Sequence, residues 1–313
     1  MGRAHTVTSA PTSFTFAVGG CARAGSNGAV FDAIRAHDPL FFLILGDFYY
    51  GNIDSNDREE FRNQYDRALS RPAQAALYRS TAIDYVWDDH DYGANDSGAG
   101  SPSKPAALAT YRSVAPHYRL PDSGAIYHSF SVGRVRFVVT DTRSARTRST
   151  MLGARQTRWL ERQLLEAKGR GQLAVWVNSV PWIAAEGTDS WAGYPAERRQ
   201  LANFVARHRV RNLLMLSGDA HMFAIDDGTN NDYATFGDGS FPILHAAALD
   251  RRGERKGGPY SEGAFPGSGQ FGTVSVRDSG GTTISVTLAG WNYRGEQLGS
   301  YTFTRTLGSA SAT

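Results

Sequence analysis

Short apolar runs alternate with amphipathic stretches through most of this chain. The runs predict strands at Phe14–Val18, Leu40–Leu45, Thr81–Val86, Ile126–Val132, Val135–Thr140, Leu173–Val177, Asn212–Leu216 and Ile243–Ala248. Between them, apolar positions recur at helical spacing over Asn27–His37, Asp57–Leu77, Lys104–His117, Ala154–Lys168 and Pro195–His208. In the fourth of these, Trp159, Leu160, Gln163 and Leu164 share one face, and Gly169 with Gly171 supplies a stop. The alternation predicts an α/β protein with mixed sheets. Gly133-Arg134 joins two strands as a hairpin. Beyond Phe271 the period becomes two, and Thr273–Val276, Thr283–Leu288 and Ser300–Arg305 predict a C-terminal antiparallel meander that closes a sheet edge. A single domain over 1–313 is expected, with the polar Met1–Ser13 as a flexible N-terminal segment. Gly93–Ser103, Asp226–Ser240 and Arg251–Gly269 are long for plain connections, and long loops in compact domains tend to be functional or mobile.

Four of the apolar runs end on side chains suited to metal or phosphate. Phe14–Val18 leads through Gly19-Gly20 to Cys21, the only cysteine. Leu40–Leu45 leads to Gly46-Asp47, with Tyr50 close behind. Ala82–Val86 runs into Trp87-Asp88-Asp89-His90-Asp91, and Asn212–Leu216 into Ser217-Gly218-Asp219-Ala220-His221. Buried strands that stop at ligands deliver distant positions to one point, the carboxyl edge of a sheet. Together the four endings read as a metallohydrolase.

Composition fits a large core: 313 residues, 41% hydrophobic and 12% aromatic. The net charge of +3 and the pI near 9.0 come from arginine, since Lys104, Lys168 and Lys256 are the only lysines. No basic block signals a nucleic-acid partner, and no run approaches the roughly 18–20 apolar residues of a membrane span. One cysteine excludes an intrachain disulfide framework, which suits a cytosolic or an exported protein equally. The opening segment lacks a signal-peptide pattern.

Each candidate has an ordinary reading beside the chemical one. The Asp47 carboxylate can bridge two cations or simply cap a turn. Tyr50 offers a hard phenolate for ferric iron, although most tyrosines pack in cores. Single cysteines are commonly inert, yet Cys21 after paired glycines sits in a tight turn where a cation would deprotonate its thiol. Asp88, Asp89 and Asp91 crowd like charges around His90, which is costly unless cations neutralise them. His90 then suits a general acid, held in one tautomer by a neighbouring carboxylate. Asn95 can supply a calcium ligand or form a turn with Asp96. Asp219 and His221 can both face one pocket. Arg143, after Thr140-Asp141-Thr142, is a candidate phosphate clamp or one half of a structural pair with Asp141. Asn178 also ends a strand, whereas His128 and His245 read as satisfied core or surface histidines. An oxygen-rich set with one thiolate points to a ferric or mixed centre with a hard cation such as calcium. No P-loop, dinucleotide fingerprint, CxxC pair or Gly-x-Ser-x-Gly elbow is present.

Gly46-Asp47 with Tyr50, Trp87–Asp91, Asp141-Thr142-Arg143 and Gly218–His221, in this order, resemble the alkaline phosphatase D (PhoD-like) branch of the calcineurin-like metallophosphoesterases. The resemblance spans Phe14 to about Asp227, and Cys21 stands where that branch has a cysteine. It implies a four-layer αββα sandwich and hydrolysis of small phosphate mono- or diesters by a metal-activated water. It implies Fe3+ plus Ca2+, bridged by Asp47, with Cys21, Tyr50 and His221 on the iron side and Asp89, Asp219 and Asn95 toward calcium. His90 falls at the leaving group, Arg143 near the phosphate, and Asp88 among the catalytic carboxylates. An exported protein, periplasmic or secreted, is also implied. Asn178-Ser179 departs from the pattern, standing where the wider superfamily often has a metal-binding histidine. The chain also lacks an evident N-terminal β-domain or C-terminal lid. A phospholipase-like or nucleotide phosphodiesterase, a non-hydrolytic iron–tyrosinate protein, and a scaffold with a degenerate site fit the same residues.

Overall fold

The computed structural model describes residues 9–22, 28–184, 187, 189–253 and 255–307. Most of the expected flexible opening segment, and Asn27 of the first expected helix, lie outside the described residues. The first half of the chain forms β1 (Phe14–Gly19), α1 (Ala29–Ala36), β2 (Phe41–Leu45), α2 (Arg58–Ser70), α3 (Pro72–Ser80), β3 (Ala82–Val86), α4 (Asp89–Tyr92), α5 (Lys104–Val114), β4 (His128–Val132) and β5 (Val135–Val139). The second half forms α6 (Gly153–Gly169), β6 (Leu173–Val177), α7 (Pro195–Arg207), β7 (Leu213–Ser217), β8 (Met222–Asp226), β9 (Ile243–Ala246), β10 (Ala264–Pro266), β11 (Gln270–Arg277), β12 (Thr283–Asn292) and β13 (Gln297–Thr306).

The strands make two sheets. One has the order β13-β12-β11-β1-β2-β3, the other β10-β8-β9-β7-β6-β5-β4. In the first, β1, β2 and β3 run parallel, and the C-terminal meander adds to β1 through antiparallel pairs such as Phe16 with Val274. In the second, β5, β6, β7 and β9 run parallel, with β4 and β8 antiparallel at the flanks. Parallel strands leave all their carboxyl ends on one edge, which fixes where a site can form.

Side-chain alternation along the strands sets the layering. In β6, Leu173, Val175 and Val177 join the core shared with β1 and β2, while Ala174 and Trp176 join a second cluster with Leu160 of α6 and Leu201 of α7. Val30, Phe31 and Ile34 of α1 and Leu77 of α3 cover the other side of the first sheet. The result is helix–sheet–sheet–helix, as expected. Between the sheets, Phe137 on β5 sits 5.2 Å from Phe16, 5.3 Å from Phe41 and 4.7 Å from Phe130, measured between ring centroids.

Three differences from the sequence pattern have local causes. The single helix expected over Asp57–Leu77 is two, because Pro72 forces Arg71 out of helical geometry to ψ 131. The helix expected to reach His117 ends at Val114, just ahead of Pro116. Strands β8 and β10 lie within stretches that showed no period of their own. Among the described residues, no helix is long and apolar enough to cross a membrane.

Phe137→Ala opens a cavity between the sheets and is expected to lower stability by about 3–5 kcal/mol in urea unfolding. Phe236→Ala, at a side chain 98% exposed, is expected to change it by less than about 0.5 kcal/mol.

Candidate metal centre

Close packing of strand exits brings the chemistry together. The chain leaves β1 through Gly20-Cys21, β2 through Gly46-Asp47, β3 through Trp87-Asp88-Asp89 and β7 through Gly218-Asp219. A Cβ on Gly46 would lie 2.4 Å from that of Asp88, and one on Gly218 would lie 2.6 Å from the Leu45 carbonyl oxygen. Only glycine fits at either point. Cys21 N donates to Gly46 O at 3.2 Å and Ala22 N to Asp47 O at 2.8 Å. Cys21, Asp47 and Asp219 all adopt left-handed backbone, with φ of 61°, 51° and 69°. Residues with a Cβ rarely do so unless the surroundings hold them there.

Two buried side chains lock these exits. Asp91 accepts from Phe48 N at 2.9 Å, from Asp88 N at 2.6 Å and from the Tyr85 hydroxyl, tying the β2 exit to the β3 exit. Burial lifts its pKa to about 7, against the pull of those donors. His245 bonds Ser217 Oγ at 2.9 Å and Ala220 O at 2.8 Å, bracketing the turn that carries Asp219 and His221. It is a satisfied core histidine, as expected, but one that shapes the site.

Ligand atoms of Cys21, Asp47 and His221 lie within 4.8 Å of one another, as do those of Asp47, Asp89 and His90, and those of Asp88, Asp89 and Asp219. Asp47 belongs to the first two groups and Asp89 to the last two. The Cys21 sulfur sits 3.5 Å from Asp47 Oδ2, and the Tyr50 hydroxyl 3.0 Å from His221 Nε2. Asp47 Oδ1 and Asp88 Oδ2 are buried without a hydrogen-bond partner. Buried carboxylate oxygens normally find one, so these unused lone pairs, aimed among further donors, fit a cation.

Charge follows the same logic. Burial, then the neighbouring carboxylates, pushes Asp47 and Asp219 well above the ordinary carboxyl range. Burial lifts Asp88 to about 8 in spite of Arg143. The Cys21 thiol and the Tyr50 phenol are also driven up, first by burial and then by nearby anionic groups. His221 moves the other way, to about 3, through burial and the cations Lys256 and Arg251, and stays in its neutral, ligating form.

Arg143 lies beneath this cluster. It is fully buried, with Nε 2.6 Å from Asp88 Oδ1, Nη1 2.8 Å from Asp189 Oδ1 and Nη2 3.8 Å from Asp89 Oδ1. That geometry supplies counter-charge to the carboxylates, while Nη1 and Nη2 make no hydrogen bond. Burial works to raise Asp189, but Arg143 and Arg146 overcome it and hold that carboxyl far below its usual range. Asp141 accepts from Trp87 Nε1, Ile126 N and the backbone of Arg143 and Ser144, so its role toward Arg143 is to shape the loop.

His90 and Asn95 line a cleft of about 560 Å³ together with Asp89, Asp219 and His221. His90 Nδ1 meets Asn52 Oδ1 at 2.5 Å, so an amide oxygen, not the carboxylate expected, fixes its tautomer. Asn178 is engaged at both ends by Val180 O and Trp191 Nε1 and stays behind the site. Asn52 and Asp189 carried no signal of their own in the sequence, and Asp96 stood out only as the turn neighbour of Asn95. Asp189, in the irregular stretch past Pro181, forms a further acidic group with Asp89 and Asp96. Arg251 and Lys256 complete the cleft wall. The only sequence hint for them was the length of their loop.

The PhoD-like phosphatase family model matches residues 16–244. Alkaline phosphatase D of Bacillus subtilis (strain 168) is 24% identical over 235 residues, 56% of this chain and 40% of that protein. The chain thus spans well under half the length of that relative. A solved structure of PhoD superposes with a TM-score of 0.74 at 16% identity, covering 99% of this chain and 75% of its own. The purple acid phosphatase PPD1 of yellow lupin (Lupinus luteus) gives 0.65 at 12% identity, covering 95% and 54%. These two likenesses carry the fold. The family match takes in the exits of β1, β2, β3 and β7 that carry the site, and the chain belongs to the PhoD-like phosphatase family.

Proposed function

We propose that this chain hydrolyses phosphate esters at a centre of two or more metal ions, as one domain. The observation that carries the reading is Asp47, whose buried Oδ1 has no partner while its carboxylate belongs to two neighbouring donor groups. Cys21, Tyr50 and His221, a thiol, a phenol and an imidazole, suit a ferric ion; Asp88, Asp89, Asp219 and Asn95 suit a hard cation such as calcium. Bound cations supply Lewis acidity to the phosphoryl group and to water.

The chain's own groups do the rest. The Asp47, Asp88 and Asp219 carboxyls give up protons when cations replace them as counter-charge. Arg143 holds Asp88 and Asp189 in fixed positions under the cleft, so that the carboxylates above need no rearrangement as charge develops. His90, with Nδ1–H committed to Asn52 Oδ1, lines the cleft; in its imidazolium form Nε2 donates a proton to the leaving oxygen, and burial, which lowers the His90 pKa, makes that proton easier to give up. Small phosphate esters match the size of the cleft. Export to the periplasm or medium belongs to the same reading by kinship with alkaline phosphatase D.

Asp47→Asn and His221→Ala are expected to abolish turnover of p-nitrophenyl phosphate, by about 10³-fold or more, with circular dichroism unchanged. Elemental analysis of the purified protein is expected to find iron and calcium, together with a visible tyrosinate-to-iron band that Tyr50→Phe removes. His90→Ala is expected to slow alkyl phosphates by about 10²-fold or more but p-nitrophenyl phosphate far less, since nitrophenolate leaves unaided. Equal losses on both would remove His90 from the leaving group.

A pH titration separates the metal from the fold. In chelated protein Asp88 keeps its proton to about pH 8, whereas in the unfolded chain it titrates near 3.8. Between those values the folded state binds more protons, so stability falls as pH rises. The melting temperature of chelated protein is expected to drop steadily from about pH 4 to about pH 8, and added metal to restore it most at the alkaline end. A chelated protein whose melting temperature stays level across that span would remove the metal from these carboxylates.

A further inference from the structure

Arg143 faces three carboxylates and lies outside the wall of the cleft. Two cations stand in its wall, Arg251 and Lys256. Among the described residues neither pairs with a carboxylate within 4 Å. The Arg251 guanidinium rests over the Tyr50 ring, 4.7 Å from its centroid, a contact that orients the fork without using its donors. Lys256 lines the same cleft as Asp219 and His221.

The segment that carries them is fastened across the exits of both sheets. Leu249 N donates to Gly20 O at 3.1 Å beside the β1 exit. Gly253 is pressed onto His221, where a Cβ would lie 2.2 Å from the histidine's own. Gly257, at φ 68°, lies against Ile183, where a Cβ would come 2.4 Å from the carbonyl oxygen. Lys256 N points at Met222 Sδ, 3.5 Å away. Glycines at the two points of closest approach let the strap lie flat on the site and hold its cations over the cleft.

We infer that Arg251 and Lys256 are the anion-receiving arm of this site, and that they tune it toward dianionic phosphate monoesters over monoanionic diesters. The inference rests on the phosphoesterase reading for its substrates but not for its binding. Above a second pKa of about 6 a monoester carries nearly two negative charges, a diester one. Coulombic attraction scales with that charge, so losing a cation costs the monoester about twice as much free energy. Both arms reach non-bridging oxygens, and the fork of Arg251 can take two at once.

The test uses metal-loaded protein, its Arg251→Gln and Lys256→Gln variants, and Arg252→Gln as a control outside the cleft wall. Inorganic phosphate is titrated by calorimetry, and metal content is measured alongside. Phosphate affinity is expected to fall about tenfold or more in either arm variant and to hold in the control. In turnover, kcat/KM is expected to fall about 30-fold on p-nitrophenyl phosphate but only about fivefold on bis(p-nitrophenyl) phosphate. Unchanged phosphate affinity, or loss of metal from an arm variant, overturns the arm; equal losses on the two esters overturn the tuning. A wild-type protein that turns over neither ester sinks the phosphoesterase reading instead, and the phosphate titration still decides the arm.

Discussion

Crowded like charge, kept out of water, governs this molecule. Asp47, Asp88, Asp89 and Asp219 are buried or nearly so within a few ångströms, and among the described residues Arg143 pairs with Asp88 and approaches Asp89. Carboxylates in such a place either hold their protons or take up other positive charge. The raised pKa values of Asp47, Asp88 and Asp219 are the first answer; a cation is the second. The rest of the fold makes the crowding possible. Glycines at the strand exits remove every Cβ that would keep the loops apart, and Asp91 with His245 fixes the turns those loops must follow.

The backbone records the same demand. Cys21, Asp47 and Asp219 lie in left-handed geometry at three different strand ends, and Asn52 and Asp96 do so beside the cleft. Five of the eight non-glycine residues with positive φ among those described thus belong to one small region. Strain of that kind persists only where hydrogen bonds and packing over-determine the chain. Here the bonds from Cys21 N and Ala22 N into the β2 exit supply part of that determination.

Much of this was readable in the residues. Short apolar runs such as Phe41–Leu45 and Leu213–Leu216 become buried strands when bounded by glycine and polar residues, and these two end just before Asp47 and Asp219. Asp47, Asp89 and His221 were legible because strand exits are predictable from such runs. Helix ends were harder, and Pro72 divided a pattern that hydrophobic spacing alone ran together. Groups brought in by loops left little trace. Asn52, Asp189, Arg251 and Lys256 reach the cleft through irregular backbone, where neighbours in space share no period in sequence. Arg143 shows the other limit. Its type suggested phosphate, and only the structure reveals that it is fully buried beside carboxylates.

The candidate ligands do not come from one sheet. Cys21, Asp47, Asp88 and Asp89 follow β1, β2 and β3, whereas Asp219 and His221 follow β7 across the sandwich. A cation held at the centre would therefore join the packing of Phe16 against Phe137 and the ion pairs His128–Asp84 and Arg134–Asp278 in tying the two layers together. A slip of one layer against the other by a single residue's rise, about 3.3 Å, would pull the donors out of reach. Neither layer can drift in evolution without the other, and wear in the packing would register first as a weakened grip on the ion.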